Sequence, residues 1–187
     1  TATATNAGLI AGNHNVAYAS GDLSATNCVL TGTVTAPVGA GGLVGYIGCV
    51  RAAGGSVAVN IADSFVSVTV KAPEGANAAA VVSNVQSNVT GVTLTTTNSS
   101  VSVTVVIGET TVTTPSTYFI YIDGALTAQT VELPAMEANA LTNKTAVAKL
   151  NAYATENSLA EWAQGASAPE LTRFYVAPEV PEITIDG

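Results

Sequence analysis

Side chains that could carry acid–base or nucleophilic chemistry are few and widely spaced in this chain. Its single histidine, His14, lies in the segment Gly12-Asn13-His14-Asn15, which is typical of a turn, and no GxSxG sequence accompanies it. Catalysis of these kinds needs a nucleophile beside a base, or two carboxylates held together. Asp22 and Asp63 fall in neighbouring repeats, described below, but no cluster of Lys or Arg surrounds them. We therefore predict that the chain is not an enzyme.

Metal and cofactor sites are not expected either. The two cysteines, Cys28 and Cys49, lack CxxC spacing, and a structural zinc site needs four ligands. Two states of this pair stay open: a disulfide, which an extracellular compartment favours, and two small thiols packed in the interior. The glycines between Gly39 and Gly45 lack the lysine and the following helix of a phosphate-binding loop. We predict no metal and no cofactor.

Charge and hydropathy argue against two classes of partner. The net charge is −8, and the five Lys and Arg residues are scattered singly, whereas nucleic acids and anionic lipids attract clustered cations. Apolar residues are interrupted every few positions by Thr, Ser, Gly or Asn, so no run approaches the roughly 18 residues that span a bilayer. We expect no nucleic-acid partner and no membrane insertion.

An internal repeat covers most of the first 108 residues. Three segments align at offsets of 63 − 27 = 36 and 98 − 63 = 35 residues. They are Asn27-Cys28-Val29-Leu30-Thr31-Gly32-Thr33-Val34, Asp63-Ser64-Phe65-Val66-Ser67-Val68-Thr69-Val70 and Asn98-Ser99-Ser100-Val101-Ser102-Val103-Thr104-Val105. Their β-branched alternation indicates strands, and a unit of about 35 residues can bury its apolar face only by stacking on its neighbours. This predicts a mainly β fold, a β-solenoid (β-helix) of about three coils.

The polar residues Asn27, Asp63 and Asn98 begin the three aligned segments. Asn and Asp side chains bond to their own turn backbone and tolerate left-handed dihedral angles. A calcium site would need several converging oxygen ligands, and only Asp63 of the three carries a charge. We interpret these residues as a structural polar ladder.

The segment Gly41-Gly42-Leu43-Val44-Gly45, with the strand Asn27-Cys28-x-x-Thr31-Gly32-x-Val34, resembles the GLUG-motif repeats of bacterial and some protist surface proteins. The likeness covers about residues 6 to 108; Ala7 to Gly12 nearly match the glycine turn, and Ala78 to Val82 retain it poorly. The resemblance implies a cell-surface or secreted protein with a β-solenoid. The ligands of that family are diverse and do not transfer.

The sequence predicts three regions: a solenoid over residues 1–114, a small α+β capping region over 115–177, and a linker to a further domain over 178–187. Apolar residues at helical spacing predict a helix from Thr142 to Asn157, and Leu171 to Val176 form a predicted strand. We expect this region to cover the open end of the last coil, because exposed repeat ends need a cap. Trp162 is expected in its core.

These features favour a non-enzymatic structural stalk or adhesion role at the cell surface or outside the cell. Its partners would be other domains of the same protein, a host or matrix glycan or protein, or a second copy. The alternative is a glycan- or protein-binding module accessory to a secreted enzyme. Ice binding is a weaker alternative, because Thr33-x-Thr35 becomes Thr69-x-Lys71 and then Thr104-x-Val106.

Three Asn-x-Ser/Thr sequons would be attachment sites for N-linked glycans if the source is eukaryotic: Asn88, Asn98 and Asn143.

Overall fold

The computed structural model describes residues 5–16, 20–49, 55–86, 89–113, 115–116, 118–122, 125–129, 144–165 and 168–172. The protein is mainly β, and these ranges contain one helix, α1 (Lys144–Glu156). The strands are, in chain order, β1 (Asn6–Ala7), β2 (Ala11–Val16), β3 (Ser20–Thr26), β4 (Val29–Thr35), β5 (Gly39–Gly41), β6 (Val44–Cys49), β7 (Gly55–Ala62), β8 (Phe65–Ala72), β9 (Asn77–Ala79), β10 (Val82–Val85), β11 (Val89–Thr97), β12 (Ser100–Ile107), β13 (Thr110–Thr111), β14 (Tyr118–Ile122), β15 (Ala125–Gln129), β16 (Trp162–Gln164) and β17 (Pro169–Leu171).

Parallel pairing between successive repeats organises these strands. The sets β1-β5-β9, β2-β6-β10-β14, β3-β7-β11 and β4-β8-β12 each run side by side in parallel. Leu30 pairs with Val66, and Val66 with Val101, at separations of 66 − 30 = 36 and 101 − 66 = 35 residues. These are the offsets of the sequence repeat, so equivalent residues lie beside each other.

The core consists of side chains that face inward from these sheets. Val34, Val70 and Val105 share one register column and are buried. Burial of each such side chain contributes about 1.5–3 kcal/mol. Val and Ile suit these columns because their branched side chains pack well on a pleated surface.

The glycine-rich turn between β5 and β6 lies against neighbouring backbone. A Cβ added to Gly42 would overlap the carbonyl oxygen of Ala80, and one added to Gly45 would overlap the carbonyl oxygen of Gly12. Only a residue without a side chain permits this close approach. The Gly-Gly-Leu-Val-Gly segment is therefore a packing requirement.

Parallel pairing continues beyond residue 114, where the sequence predicts that the repeat ends. Strand β14 is parallel to β10, with Tyr118 opposite Val82, again 36 residues apart. Two antiparallel pairs flank β14 in the chain: β13 folds back on β12 before it, and β15 folds back on β14 after it. Strand β14 is more aromatic than β10, so the sequence does not align the two strands. Their equivalent position is visible only in the strand pairing.

Beyond β15, the described part of the C-terminal region is helix α1 followed by the antiparallel hairpin β16–β17. The predicted helix is present, but Thr142 and Asn143 lie outside the described residues, as does most of the predicted strand after Leu171. The helix ends at Glu156, and Ser158 beyond it has φ 54°; the Leu159 N–H donates to Ala154 O (2.8 Å), as in a left-handed helix C-cap. No helix within the described ranges is long and apolar enough to span a membrane.

A second apolar cluster joins this region to the sheets. Leu150, Ala154 and Trp162 pack with Phe65, and Val29 borders the same cluster. Val29 and Phe65 are paired on β4 and β8, in the first two repeats. The helix and hairpin thus contact β4 and β8, whereas β14 and β15 of the same predicted region lie beyond β10 in their sheet.

Candidate functional site

The residues Asn27, Asp63 and Asn98, here called the corner residues, occupy equivalent positions between successive strands. Each lies in a two-residue link, between β3 and β4, β7 and β8, or β11 and β12. Their φ angles are 51°, 46° and 48°. Such left-handed angles are tolerated by Asn and Asp better than by other residues with side chains. The sequence therefore uses these residues to turn the chain sharply.

The residue after each corner ties one repeat to the next. Ser64 Oγ accepts a hydrogen bond from the Cys28 N–H (3.0 Å) and donates to Ala62 O (2.6 Å). One repeat later, Ser99 Oγ accepts from the Ser64 N–H (3.0 Å) and donates to Thr97 O (2.8 Å). Each hydroxyl thus links its own strand end to the backbone of the preceding repeat.

Cys28 is the first-repeat equivalent of these serines. Its Sγ donates to Thr26 O (3.2 Å), the same carbonyl position that Ser64 and Ser99 use in their own repeats. Cys28 is a free thiol in the structure, and the side chain of Cys49 lies outside the described residues. The sequence alignment places Cys28 beside the two serines but does not reveal the shared hydrogen bond.

The corner side chains have two different sets of partners. Asn98 Nδ2 donates to Asp63 Oδ1 (2.7 Å), so the second and third corners bond to each other. The first corner bonds instead to the C-terminal region: Asn27 Nδ2 donates to Leu150 O (2.7 Å), and Trp162 Nε1 donates to Asn27 Oδ1 (2.9 Å). Sequence reasoning missed this contact, because residues 27 and 162 are 135 positions apart.

The hydrogen bond between Trp162 and Asn27 lies next to the apolar cluster that contains Phe65. Phe65 is 1% exposed and Trp162 is 9% exposed, so the indole ring packs in the cluster while its N–H reaches the corner. Asn151 holds the backbone of Trp162 with two hydrogen bonds, of 2.8 and 2.7 Å. The tryptophan is thus fixed at the core, and a sugar could not stack on its buried ring.

His14 lies in strand β2, so the turn expected from its neighbours is wrong. Pairing with β6 places it opposite Ile47, which is itself opposite Val85 on β10, in an inward column. The Nε2 atom of His14 is buried without a hydrogen-bond partner. Strand pairing with β6 outweighs the turn propensity of the residues around His14.

The acidic residues Asp22 and Asp63 do not form a carboxylate pair. Asp22 is exposed on β3 opposite Ala58, five residues before Asp63, which corresponds to about 16 Å along an extended strand. Its Oδ1 accepts from the Ala58 N–H (3.3 Å). Among the residues that the structure describes, no group of three or more His, Cys, Asp or Glu side chains is placed to hold a metal.

Of the three sequon asparagines, Asn98 alone lies within the described residues; Asn88 and Asn143 lie outside them. Asn98 is exposed, but its Nδ2, the atom that a glycan would modify, bonds to Asp63. The third residue of that sequon, Ser100, is buried in β12. This geometry disfavours modification of the folded chain at Asn98.

A partly buried cluster of asparagines was not predicted from the sequence. Asn77 Nδ2 donates to Asn84 Oδ1 (2.9 Å), and Asn84 Nδ2 donates to Asn6 Oδ1 (3.5 Å). Asn6, Gly39 and Asn77 are register partners on β1, β5 and β9, and the absent side chain of Gly39 makes room for the amides. The paired amides satisfy one another, as buried polar groups require.

These observations define a mainly β protein with parallel sheets, whose recurrent polar residues serve turns and cross-repeat hydrogen bonds. Comparisons with protein-family models, curated proteins and solved structures give no match.

Proposed function

We propose that the chain is a non-enzymatic repeat module of a cell-surface or secreted protein, a β-solenoid segment that serves as a structural stalk or an adhesion element. In this proposal the parallel sheets are the faces of about three coils of roughly 35 residues, and residues 115–177 attach to them.

The observation that carries the proposal is parallel pairing at about one repeat in every set of strands. Strands β3, β7 and β11, like strands β4, β8 and β12, pair at 36 and then 35 positions over most of their length, and the sets β1-β5-β9 and β2-β6-β10 pair at 33 and then 38. Both patterns add up to 71 positions over two repeats, which supports a chain that winds by one strand spacing per repeat. The corner residues turn the chain, and Ser64 and Ser99 after them bond to the preceding repeat, which supports the same winding. In this proposal these polar residues therefore have structural roles.

The architecture is tested by inserting a second copy of residues 37–72, which is one repeat of 36 residues. We expect the longer chain to unfold cooperatively and to lengthen by about 4.8 Å, the spacing of neighbouring strands. Small-angle X-ray scattering measures the length and circular dichroism the unfolding. The matched control inserts residues 37–54, half a repeat, and should disrupt folding. Equal behaviour of both insertions would contradict the solenoid.

The role is tested on the purified chain with arrays of glycans and matrix proteins, together with polysaccharide cleavage assays. A stalk segment should bind none of them tightly and should release no product. Tight, saturable binding of one glycan or protein would instead support a binding module accessory to a secreted enzyme. Turnover of any polysaccharide would refute the non-enzymatic role.

A further inference from the structure

The four strands of the first repeat are all edge strands. Strands β1, β2, β3 and β4 pair on one side with β5, β6, β7 and β8. Each is the outermost strand of its sheet, and within the described ranges no strand pairs with its other side. Four rows of backbone N–H and C=O groups thus lie at one end of the parallel sheets. We call this surface, formed by β1 to β4, the first-repeat end.

Apolar side chains of the first-repeat end are less covered than their equivalents one repeat later. Leu23 pairs in register with Val59, and Leu30 with Val66. The two valines are 1% and 0% exposed, whereas both leucines are only half-buried. The second repeat is covered on both sides by neighbouring strands, and the first on one side only. The leucines therefore keep apolar surface that a further layer of strands would bury.

A third leucine adds to this apolar surface. Leu9 is half-buried and packs against the same core. Its Cδ1 lies 3.5 Å from the place where Gly32 would have a Cβ. Gly32 pairs with Val68, whose side chain is buried in the second repeat. Leu9 thus occupies the space beside the glycine and extends the apolar surface across the first-repeat end.

The first-repeat end has little that would prevent contact with another strand. Proteins commonly protect edge strands with lysine or proline, and β1 to β4 contain neither residue. Asp22 is the only Asp, Glu, Lys or Arg among residues 1–36, although the whole chain has a net charge of −8. Two such ends can therefore approach each other with little electrostatic repulsion.

The other end of the parallel sheets is a poorer match for these edges. Strands β14 and β15 extend the sheet beyond β10, and β13 pairs with the end of β12. A first-repeat end that approached the third repeat would meet these added strands before all four of its edges could pair. A second first-repeat end has the same four edges and the same leucines. A contact between two identical surfaces is the isologous type, which closes into a twofold dimer.

We propose that two copies of the chain associate through their first-repeat ends into a symmetric dimer. Backbone groups of the edge strands form hydrogen bonds across the interface, as in strand addition to an open sheet, and the leucines of both copies bury one another. The inference goes beyond the structural role proposed above. It rests on the strand pairing and on the burial of the leucines, not on that role.

The test is the molar mass of the whole chain in solution, measured by size-exclusion chromatography with light scattering over a range of concentrations. We expect the wild-type chain to reach the mass of two copies, 2 × 18.6 = 37.2 kDa. Leu23→Lys should raise the Kd of the dimer at least about tenfold, because it places two like charges in one apolar interface.

The matched control is Leu94→Lys. Leu23, Val59 and Leu94 are successive register partners, and Leu94 is likewise half-buried, so both variants lose a similar contact with the core. Leu94 lies in the third repeat, and its variant should keep the Kd within about twofold of wild type. Equal losses in the two variants would overturn the proposal. Larger oligomers that depend on Leu94 would show end-to-tail stacking and overturn it too.

Hydrogen exchange of the wild-type chain gives a second measurement, which holds if Leu23→Lys fails to fold. Amides of β3 and β4 should exchange more slowly as the concentration rises, while amides of β11 should not change. Equal behaviour of these strands would contradict the proposed interface. A wild-type chain with the mass of one copy at about 1 mM would overturn the dimer, because even a millimolar Kd gives dimers there.

Discussion

Replacing Ser64 with Ala removes the hydroxyl that ties the second repeat to the first. Ser64 is 4% exposed, and its Oγ is the acceptor of the Cys28 N–H. The hydroxyl also donates to Ala62 O, but that oxygen keeps a second bond from the Asn27 N–H (3.1 Å). The variant therefore leaves one backbone donor, not two groups, without a partner.

Loss of this partly buried hydrogen bond, which leaves the Cys28 N–H unpaired, costs about 1–3 kcal/mol, so the free energy of unfolding should fall by that amount. For a chain of this size, each kcal/mol corresponds to about 2–4 °C, which gives a melting temperature lower by about 2–12 °C. Urea unfolding and thermal unfolding followed by far-UV circular dichroism measure both quantities. The physical cause is loss of the hydrogen bond, because the change deletes a single oxygen atom.

Two further variants separate this cause from general disturbance. Ser64→Cys introduces the thiol that the first repeat has at Cys28 and should retain part of the stability, since sulfur is a weak acceptor. Ser99→Ala removes the equivalent hydroxyl, whose donor is the N–H of the buried Ser64, and should cost a similar amount, about 1–3 kcal/mol. Wild-type stability of both Ser64→Ala and Ser99→Ala would refute this reasoning.

Gly39→Ala should destabilise the chain by about 1–3 kcal/mol in urea unfolding, because a Cβ there would overlap polar atoms of Asn6, Asn84 and Ser83. Gly12→Ala is its control, since the nearest atom to an added Cβ is Asn6 O at 3.3 Å; an equal loss in both would contradict the explanation. His14→Leu should raise stability by up to about 1–3 kcal/mol, because it removes a buried nitrogen without a partner, and a drop in the melting temperature would show that this nitrogen is satisfied. Trp162→Phe keeps an aromatic ring but removes the N–H that bonds to Asn27, and should lower stability by about 0.5–1.5 kcal/mol; in an Asn27→Ala background the same change should cost less, and an unchanged cost would show that the two residues are not coupled.

The strand pairing could be predicted because the repeat fixes it directly. The sequence aligns Leu30 with Val66 and Val101, and the structure pairs the same residues. The turns were equally accessible, since Asn or Asp at a recurring position between strands indicates a left-handed residue. Both features depend on patterns that recur within a short stretch of chain.

Long-range contacts were not predictable in the same way. The bond between Trp162 and Asn27 leaves no periodic trace in the sequence, so the packing of the helix and hairpin against the first two repeats was not predicted. His14 was predicted in a turn for a related reason. Its strand conformation depends on pairing with β6 and not on the residues next to it in the sequence. The buried Asn84 and the half-buried Asn77 look like surface residues in the sequence, because nothing in it indicates their mutual hydrogen bond.

The parallel pairing also has a kinetic consequence. Residues that meet in β4 and β8 are 36 positions apart, and closing a loop of that length costs about 3 kcal/mol more than its length-independent part. The antiparallel pairs β14–β15 and β16–β17 join residues much closer in the chain, and such hairpins form in about 1–10 μs. The hairpins should thus appear early, while the first contact between two repeats limits the folding rate. Substitutions at Ser64, where the first and second repeats meet, should then change the speed of folding as well as its equilibrium.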